Sequence, residues 1–325
     1  MSVEVVIPCY NYAHFLEQCV GRVLSQAVDD LRIVIIDNAS TDDSVAVAKR
    51  LAERDSRIEV ICHEKNLGPH ASFNEGIDRA LADYLLILCA DDLLVEGALG
   101  LAIEALEQMP EASFAIGTYA EVRPLEEVGN GATTNVWNVA DGADFIRRCC
   151  SSFDHVAAYA ILVRRSAQMR AGYYDPSLVL CDDFELVLRL ARIGQVIELP
   201  TPLAVRRIQS GSISQPAWND KLRLLKERQA ALDSFFAKGR KGLPDAGKIY
   251  RIGLQRIAEA AFWSAVSHLA RGKPTIALNL FKYGYSLRPA TMLLPPFAYL
   301  VRTNGTTKRA KAVMLEAFGR RHGAS

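Results

Sequence analysis

The sequence predicts an α/β protein: a doubly wound, mostly parallel sheet followed by an α-helical C-terminal extension. Three observations carry this. Four β-rich runs alternate with three helical patterns before residue 90. The last of them, Tyr84 to Leu88, is continuously apolar rather than alternating, which marks a strand buried on both faces, as in a parallel sheet. From Trp218 onward the pattern is helical.

Val3 to Ile7 is the first strand and is followed by Pro8-Cys9-Tyr10-Asn11-Tyr12. Apolar residues at Phe15, Leu16, Cys19, Val20, Val23 and Leu24 recur at helical spacing. Ile33 to Ile36 is the second strand and runs into Asp37-Asn38-Ala39-Ser40-Thr41, where Ser40 or Thr41 can cap a helix through Val45, Val47, Ala48 and Leu51. Ile58 to Cys62 is the third strand, leading through Asn66-Leu67-Gly68 to a helix over 71–81. Tyr84 to Leu88 is the fourth, and it opens directly onto Cys89-Ala90-Asp91-Asp92.

The pattern then loosens. A helix is expected over Val95–Met109, a strand at Ser113–Thr118, an excursion at Arg123–Asn138, a helix from Asp141 to Cys150 and a strand at Ala157–Val163. A turn at Gly172–Pro176 precedes an amphipathic helix over Asp182–Ile193; Val196-Ile197 and Leu203–Ile208 complete the sheet. Gly239–Gly247 reads as a linker within the helical tail, and Ala258–Arg271 with Thr275–Leu287 as a helix pair. Two domains are therefore expected, 1–214 and 215–325.

In a sheet wound this way all carboxyl ends share one edge, where ligands bind. Tyr10-Asn11, Asp37, Asn66 and Asp91-Asp92 should therefore converge. Two hard oxygen donors at a strand tip suit Mg²⁺ or Mn²⁺ carrying nucleotide phosphates; the bland alternative is that Asp91 and Asp92 cap the next helix. The chain has neither G-x-G-x-x-G after the first strand nor GxxxxGK[ST], so neither a dinucleotide fold nor a P-loop is supported.

Half of the 325 residues are hydrophobic and 23% charged, the balance of a folded chain. The seven cysteines form no CxxC pair, and Met1-Ser2-Val3-Glu4 does not read as a secretion signal, so reduced thiols in a cytoplasmic protein are expected. No apolar run is long enough to span a bilayer. The net charge of +1 hides an asymmetry: from Asp220 on there are 20 Lys+Arg against 6 Asp+Glu, leaving 18 against 31 before it. The basic tail suits peripheral contact with anionic membrane at the inner face or an acidic acceptor, with an oligomerisation surface as the alternative. No nucleic-acid partner is expected.

Several ordered blocks together resemble one family, the inverting family 2 glycosyltransferases with the GT-A fold, of the kind that build bacterial saccharides. They are Val5-Val6-Ile7-Pro8-Cys9-Tyr10-Asn11, Ile35-Ile36-Asp37-Asn38-Ala39-Ser40-Thr41-Asp42, Asn66-Leu67-Gly68, Asn74-Glu75-Gly76-Ile77, Cys89-Ala90-Asp91-Asp92, Arg164-Arg165-Ser166, Gly172-Tyr173-Tyr174-Asp175 and Asp182-Asp183-Phe184-Glu185-Leu186. The resemblance implies a nucleotide-sugar donor, with UDP-sugar as the default, and transfer with inversion to a saccharide or lipid-linked hydroxyl. It places Pro8, Tyr10, Asn11, Asp37, Asn66 and Asp91 against the nucleotide sugar, Asp91 and Asp92 on Mg²⁺ or Mn²⁺, and Asp183 as catalytic base. Each has a plainer reading: a helix cap for Asp37, a turn residue for Asn66, and dipole-favoured acids at a helix start for Asp182 and Asp183. Asp182 stands where the family commonly has Glu, and a one-residue slip would exchange the two acids. Asp154 and His155 lie near the expected acceptor site, while His14 and His70 read as structural or solvent-facing. Two departures stand out: Cys89 replaces the first acid of the metal motif, and Gln209 replaces a His. They keep open a degenerate scaffold that only binds nucleotide or a partner enzyme. A sugar nucleotidyltransferase is a third reading, but Pro8-Cys9-Tyr10-Asn11 is not its Gly-rich loop.

Overall fold

The computed structural model describes residues 1–122, 136–153, 160–207, 220–239 and 243–302. Asp154, His155, Gln209 and most of the 123–138 excursion lie outside them. In the first of two compact units, Met1–Ile146, His155–Ser177 and Asp182–Gly211, the chain builds one mixed sheet. Its opening is βαβαβαβ: β1 Ser2–Cys9, α1 Ala13–Leu24, β2 Asp30–Asp37, α2 Ser44–Arg54, β3 Ile58–Cys62, α3 Pro69–Arg79 and β4 Tyr84–Ile87. The order β3-β2-β1-β4 is parallel throughout. Val3, Val5, Val6, Ile7, Ile33, Val34, Ile35 and Ile36 are all fully buried, as strands covered on both faces are, and the one acid among them, Glu4, is buried in an ion pair with Arg32 at 2.8 Å.

Beyond β4 the direction changes. β8 Ile161–Arg164 pairs antiparallel with β4 and with β6 Ala112–Val122; β9 Gln195–Arg207 runs parallel to β6. Two short strands escape the periodicity reading: β5 Leu93–Leu94 and β7 Asn138–Ala140, both antiparallel to β9. The expected helix starts three residues late because Glu96-Gly97 form a turn, with Gly97 at φ 75°; α4 runs Ala98–Gln108. The two runs expected near Val196 and Leu203 are one strand. It carries Pro200 and Pro202 through a register irregularity opposite Thr118, where a missing N–H is tolerated. Next to that irregularity is Gly117, where a Cβ would lie 2.9 Å from Thr201 O. The remaining helices are α5 Gly142–Ser152, of which the part up to Ile146 belongs to this unit, α6 Arg165–Ala171 and α7 Asp182–Ala191.

The second unit comprises Ser212–Ser325 with Arg147–Asp154 and Leu178–Cys181, two short segments that a linear division at 214 does not assign to it. It holds α8 Lys221–Ala237, α9 Ala246–Ala270, α10 Pro274–Leu287, α11 Pro289–Leu293 and α12 Phe297–Arg302. Helix α9 begins at Ala246, inside the expected linker and well before Ala258, because Ile249, Gly253 and Ile257 already supply a buried stripe. Gly253 lets α8 approach: a Cβ there would meet Leu232 Cδ1 at 2.6 Å. No helix among the described residues is long and apolar enough to cross a membrane.

Candidate active site

The sheet order reverses between β1 and β4, and Pro8 helps to open the crevice there. Val6 O accepts from Leu88 N at 2.9 Å, toward β4, and Val6↔Ile87 is the last β1–β4 pair. Pro8, two residues on, faces the same side but has no N–H to continue the ladder. On the other side the strands stay joined, with Cys9 paired to Asp37 and Asp37 to Cys62.

Asp37 is 1% exposed at the tip of β2. Its Oδ1 accepts from Ser40 N at 2.9 Å, and its Oδ2 is buried without a hydrogen-bond partner. It is not a helix cap: α2 is preceded by Asp43. Nor do Ser40 and Thr41 cap that helix. Asn11 N donates to Ser40 Oγ at 2.9 Å, and Asn11 Oδ1 accepts from Thr41 N at 2.8 Å. Asn11 sits at φ 60°, a region that Asn tolerates better than most residues, and its amide oxygen stitches the loop after β1 to the loop after β2. Tyr12 N and Ala13 N extend the seam to Ser44 Oγ and Asp42 Oδ2.

Buried Asn38 organises the neighbouring loop. Its Nδ2 donates to Asn66 Oδ1 at 3.0 Å and to Gly68 O at 3.1 Å, while its Oδ1 accepts from Leu67 N at 2.9 Å. Asn66 also accepts from Gly68 N at 2.8 Å, so its amide oxygen serves the turn. His63 bridges Asn38 Oδ1 at 2.9 Å and Glu75 Oε2 at 2.7 Å. Periodicity does not reveal this His63–Asn38–Asn66 network, because its members come from different strand ends.

Asp91 and Asp92 are held between β4 and β5, well before α4, whose N-cap is Gly97; they do not cap that helix. Asp92 N donates to Cys89 O at 2.9 Å. The Cys89 thiol and the two carboxylates offer ligand atoms all within 4.8 Å of one another. Burial, then the adjacent Asp91 charge, pushes the Asp92 carboxyl well above the usual range. Such crowding is what a divalent cation relieves, so this donor set fits Mg²⁺ or Mn²⁺. The Tyr12 hydroxyl is raised by burial and by Asp91, to which it hydrogen-bonds. Arg207, stacked 4.7 Å over Phe15, donates to Asp91 O at 3.3 Å and to Gln18 Oε1.

Asp182 and Asp183 open α7. Both carboxylates act on Tyr174, and Asp183 also raises the buried Cys89 thiol, behind burial, Asp92 and Asp91. Asp183 thus shares an electrostatic neighbourhood with the acids after β4, 91 residues away in sequence. Asp182 Oδ2 lies 3.0 Å from His70 Nε2, so His70 is neither idle nor simply solvent-facing. The turn before α7 is locked from both sides. Asn74 donates to Tyr174 O at 3.0 Å and accepts from Tyr174 N at 2.8 Å. Arg189, ion-paired with Glu185 at 2.7 Å, donates to Tyr173 O at 2.7 Å and to Ala171 O.

The profile of Glycosyl transferase family 2 matches residues 4–167, just over half of the chain. The chain belongs to that family. Glycosyltransferase GlyG of Streptococcus pneumoniae is 29% identical over 117 residues, which are 36% of this chain and 38% of that protein. This chain spans only 30–39% of the length of such curated relatives. Solved structures share the fold over nearly the whole chain. S. aureus TarS 1-349 in complex with UDP-GlcNAc matches with TM-score 0.61 at 14% identity, covering 89% of this chain and 92% of that one. Mannosyltransferase PcManGT from Pyrobaculum calidifontis, in complex with GDP-Man and Mn²⁺, matches with TM-score 0.58 at 18% identity, covering 98% and 86%. The sheet is accordingly the GT-A sheet.

Proposed function

We propose that the chain is an inverting glycosyltransferase that moves a sugar from a nucleoside-diphosphate sugar to a hydroxyl of a saccharide or lipid-linked acceptor. The observation that supports this reading is the cluster of Cys89, Asp91 and Asp92 at the switch-point crevice, with Asp183 close enough to add to the rise of the Cys89 thiol. Residues 1–214 would be the catalytic domain and 215–325 a basic helical appendage.

Asp37 Oδ2, buried and unpartnered, is set to accept from a base N–H, which favours an imide such as that of uridine. Pro8, Tyr10 and Asn11, at the carboxyl end of β1, form the wall for the base and ribose, and the turn held at Asn66 closes it. Asp183 takes the proton of the acceptor hydroxyl. The oxygen then forms its bond to the anomeric carbon from the face opposite the diphosphate, and the bond from that carbon to the phosphate oxygen breaks. The configuration inverts and the nucleoside diphosphate leaves with the electron pair. Mg²⁺ or Mn²⁺ held by Asp91 and Asp92 would neutralise charge growing on that diphosphate.

The test is release of nucleoside diphosphate from a panel of nucleotide sugars with Mg²⁺ or Mn²⁺. Asp183→Asn is expected to abolish transfer while donor Kd changes less than about twofold, since the isostere removes only the proton acceptor. Equal loss of donor binding would remove Asp183 from the role of base. Asp91→Ala is expected to weaken donor binding only when the cation is present. Cys89 favours a second reading, a nucleotide-binding protein without turnover; release from no donor in the panel, with or without acceptor, would select it.

A further inference from the structure

Between Ala260 and Leu315 the chain has eight Lys and Arg and no acidic residue. Within that stretch Leu293, Leu294 and Phe297 are 73%, 75% and 65% exposed. Three large apolar side chains within five residues at that exposure are not the scattered surface leucines of an ordinary fold. Their backbone is fixed. Trp263 Nε1 donates to Pro296 O at 3.1 Å, the Trp263 ring lies 5.8 Å from that of Phe297, and Leu294 N donates to Ala290 O at 3.1 Å. Pro295 and Pro296 stiffen the turn further. On α10, Leu278, Lys282 and Tyr285 are exposed at spacings of four and three, so apolar and basic groups share a face. Lys273 and Arg288, at the two ends of that helix, are exposed as well.

We propose that this turn and α10 form a membrane-docking surface for a bilayer of anionic lipid. Leu293, Leu294 and Phe297 enter the boundary between headgroups and acyl chains, while Lys273, Lys282 and Arg288 meet lipid phosphates. The charge pattern selects this occupant over a second copy, because two such faces would set cation against cation, whereas an anionic leaflet attracts every basic group near it. An apolar insertion combined with a basic rim is the pairing that gives reversible peripheral binding.

The test is flotation of the full-length protein with vesicles of phosphatidylglycerol and phosphatidylcholine, against phosphatidylcholine alone. Binding is expected on the anionic vesicles at low salt, with loss at high salt and little on the neutral ones. The triple variant Leu293→Ser, Leu294→Ser, Phe297→Ser should bind at least tenfold more weakly with circular dichroism unchanged. Lys282→Glu with Arg288→Glu, at exposed positions that the fold does not need, should do the same and serves if the triple variant is misfolded. Equal binding by both variants, or no wild-type binding to anionic vesicles at low salt, would overturn the proposal. So would a wild-type dimer by light scattering that the triple variant converts to monomer, since the face would then be a self-association surface.

Discussion

Asp37 is where binding and stability should move in opposite directions. One of its carboxylate oxygens accepts from Ser40 N at 2.9 Å and the other is buried without a partner. An unsatisfied buried polar group costs about 1–3 kcal/mol, more when it is charged. Asp37→Asn keeps the shape and the Ser40 bond but removes the charge, so the ligand-free protein should gain roughly 1 kcal/mol, a rise in Tm of about 2–4 °C for a domain of this size. Donor binding should fall. A hydrogen bond to a charged acceptor is worth about 1.5–3 kcal/mol, or roughly 10- to 150-fold in Kd, and the Asn amide would present a donor to the donor N–H of a uracil. Calorimetric titration with UDP and thermal unfolding read both effects. N3-methyl-UDP completes the cycle: it should bind weakly to the wild type and lose nothing further in Asp37→Asn. If the methyl group and the substitution weaken binding by independent factors, or if Asp37→Asn lowers Tm without touching affinity, Asp37 does not hold the base.

Three more outcomes follow from the scaffold. A Cβ at Gly76 would lie 2.4 Å from Val6 Cγ1 and 2.9 Å from Cγ2, so Gly76→Ala should destabilise by about 1–3 kcal/mol; urea unfolding should show much of that recovered in the Val6→Ala background. Arg189→Met strands Glu185, which is fully buried, and should cost about 3–5 kcal/mol, whereas Glu185→Met with Arg189→Met should cost less than the single change by the same assay. Partial burial would raise the Glu75 carboxyl, but hydrogen bonds from His63 and Arg79 outweigh it and hold Glu75 below its ordinary 4.5. Its contribution is therefore present above pH 4.5 and lost as pH falls through the lowered value. The stability gap between wild type and Glu75→Gln, measured by urea unfolding, should be open at pH 7 and narrow on acidification below pH 4.5.

The parallel half of the sheet was legible because strands buried on both faces leave long apolar runs: Ile33–Ile36 and Tyr84–Leu88 are unbroken, and Val3–Ile7 is interrupted only by Glu4. The positions of Asp37 and Asp91-Asp92 followed from the strand ends alone. The antiparallel half was less legible. Leu93-Leu94 and Asn138–Ala140 are too short to show a period and exist as strands only through their pairing with β9. Pro200 and Pro202 divided one strand into two apparent ones, since only the bulge opposite Thr118 makes a proline acceptable there. His70 could be read only as structural or solvent-facing, because a histidine at a helix start has no pattern; its contact with Asp182, 112 positions later, gives it the structural role. Arg207 has no pattern of its own in the sequence, because its contact with the Asp91 carbonyl depends on β9 lying beside β5.

Helix α3 explains how the turn at Asn66 and the start of α7, from distant parts of the chain, can hold a common geometry. His70 and Asn74 are four residues apart and therefore lie on one face; they grip Asp182 and Tyr174, the start of α7 and the turn before it. Glu75 and Arg79, again four apart, occupy another face, and through His63 and Asn38 they fix the turn that carries Asn66. The helix itself cannot shift relative to β1, because Gly76 leaves no gap against Val6. Loosening either face should therefore disturb one side of the crevice while leaving the other in place. His70→Ala would be felt at α7 and in turnover, and His63→Ala at the Asn66 turn and in donor affinity. Loss of donor affinity in the first variant, with turnover of bound donor intact, would show that α3 does not divide its two faces in this way.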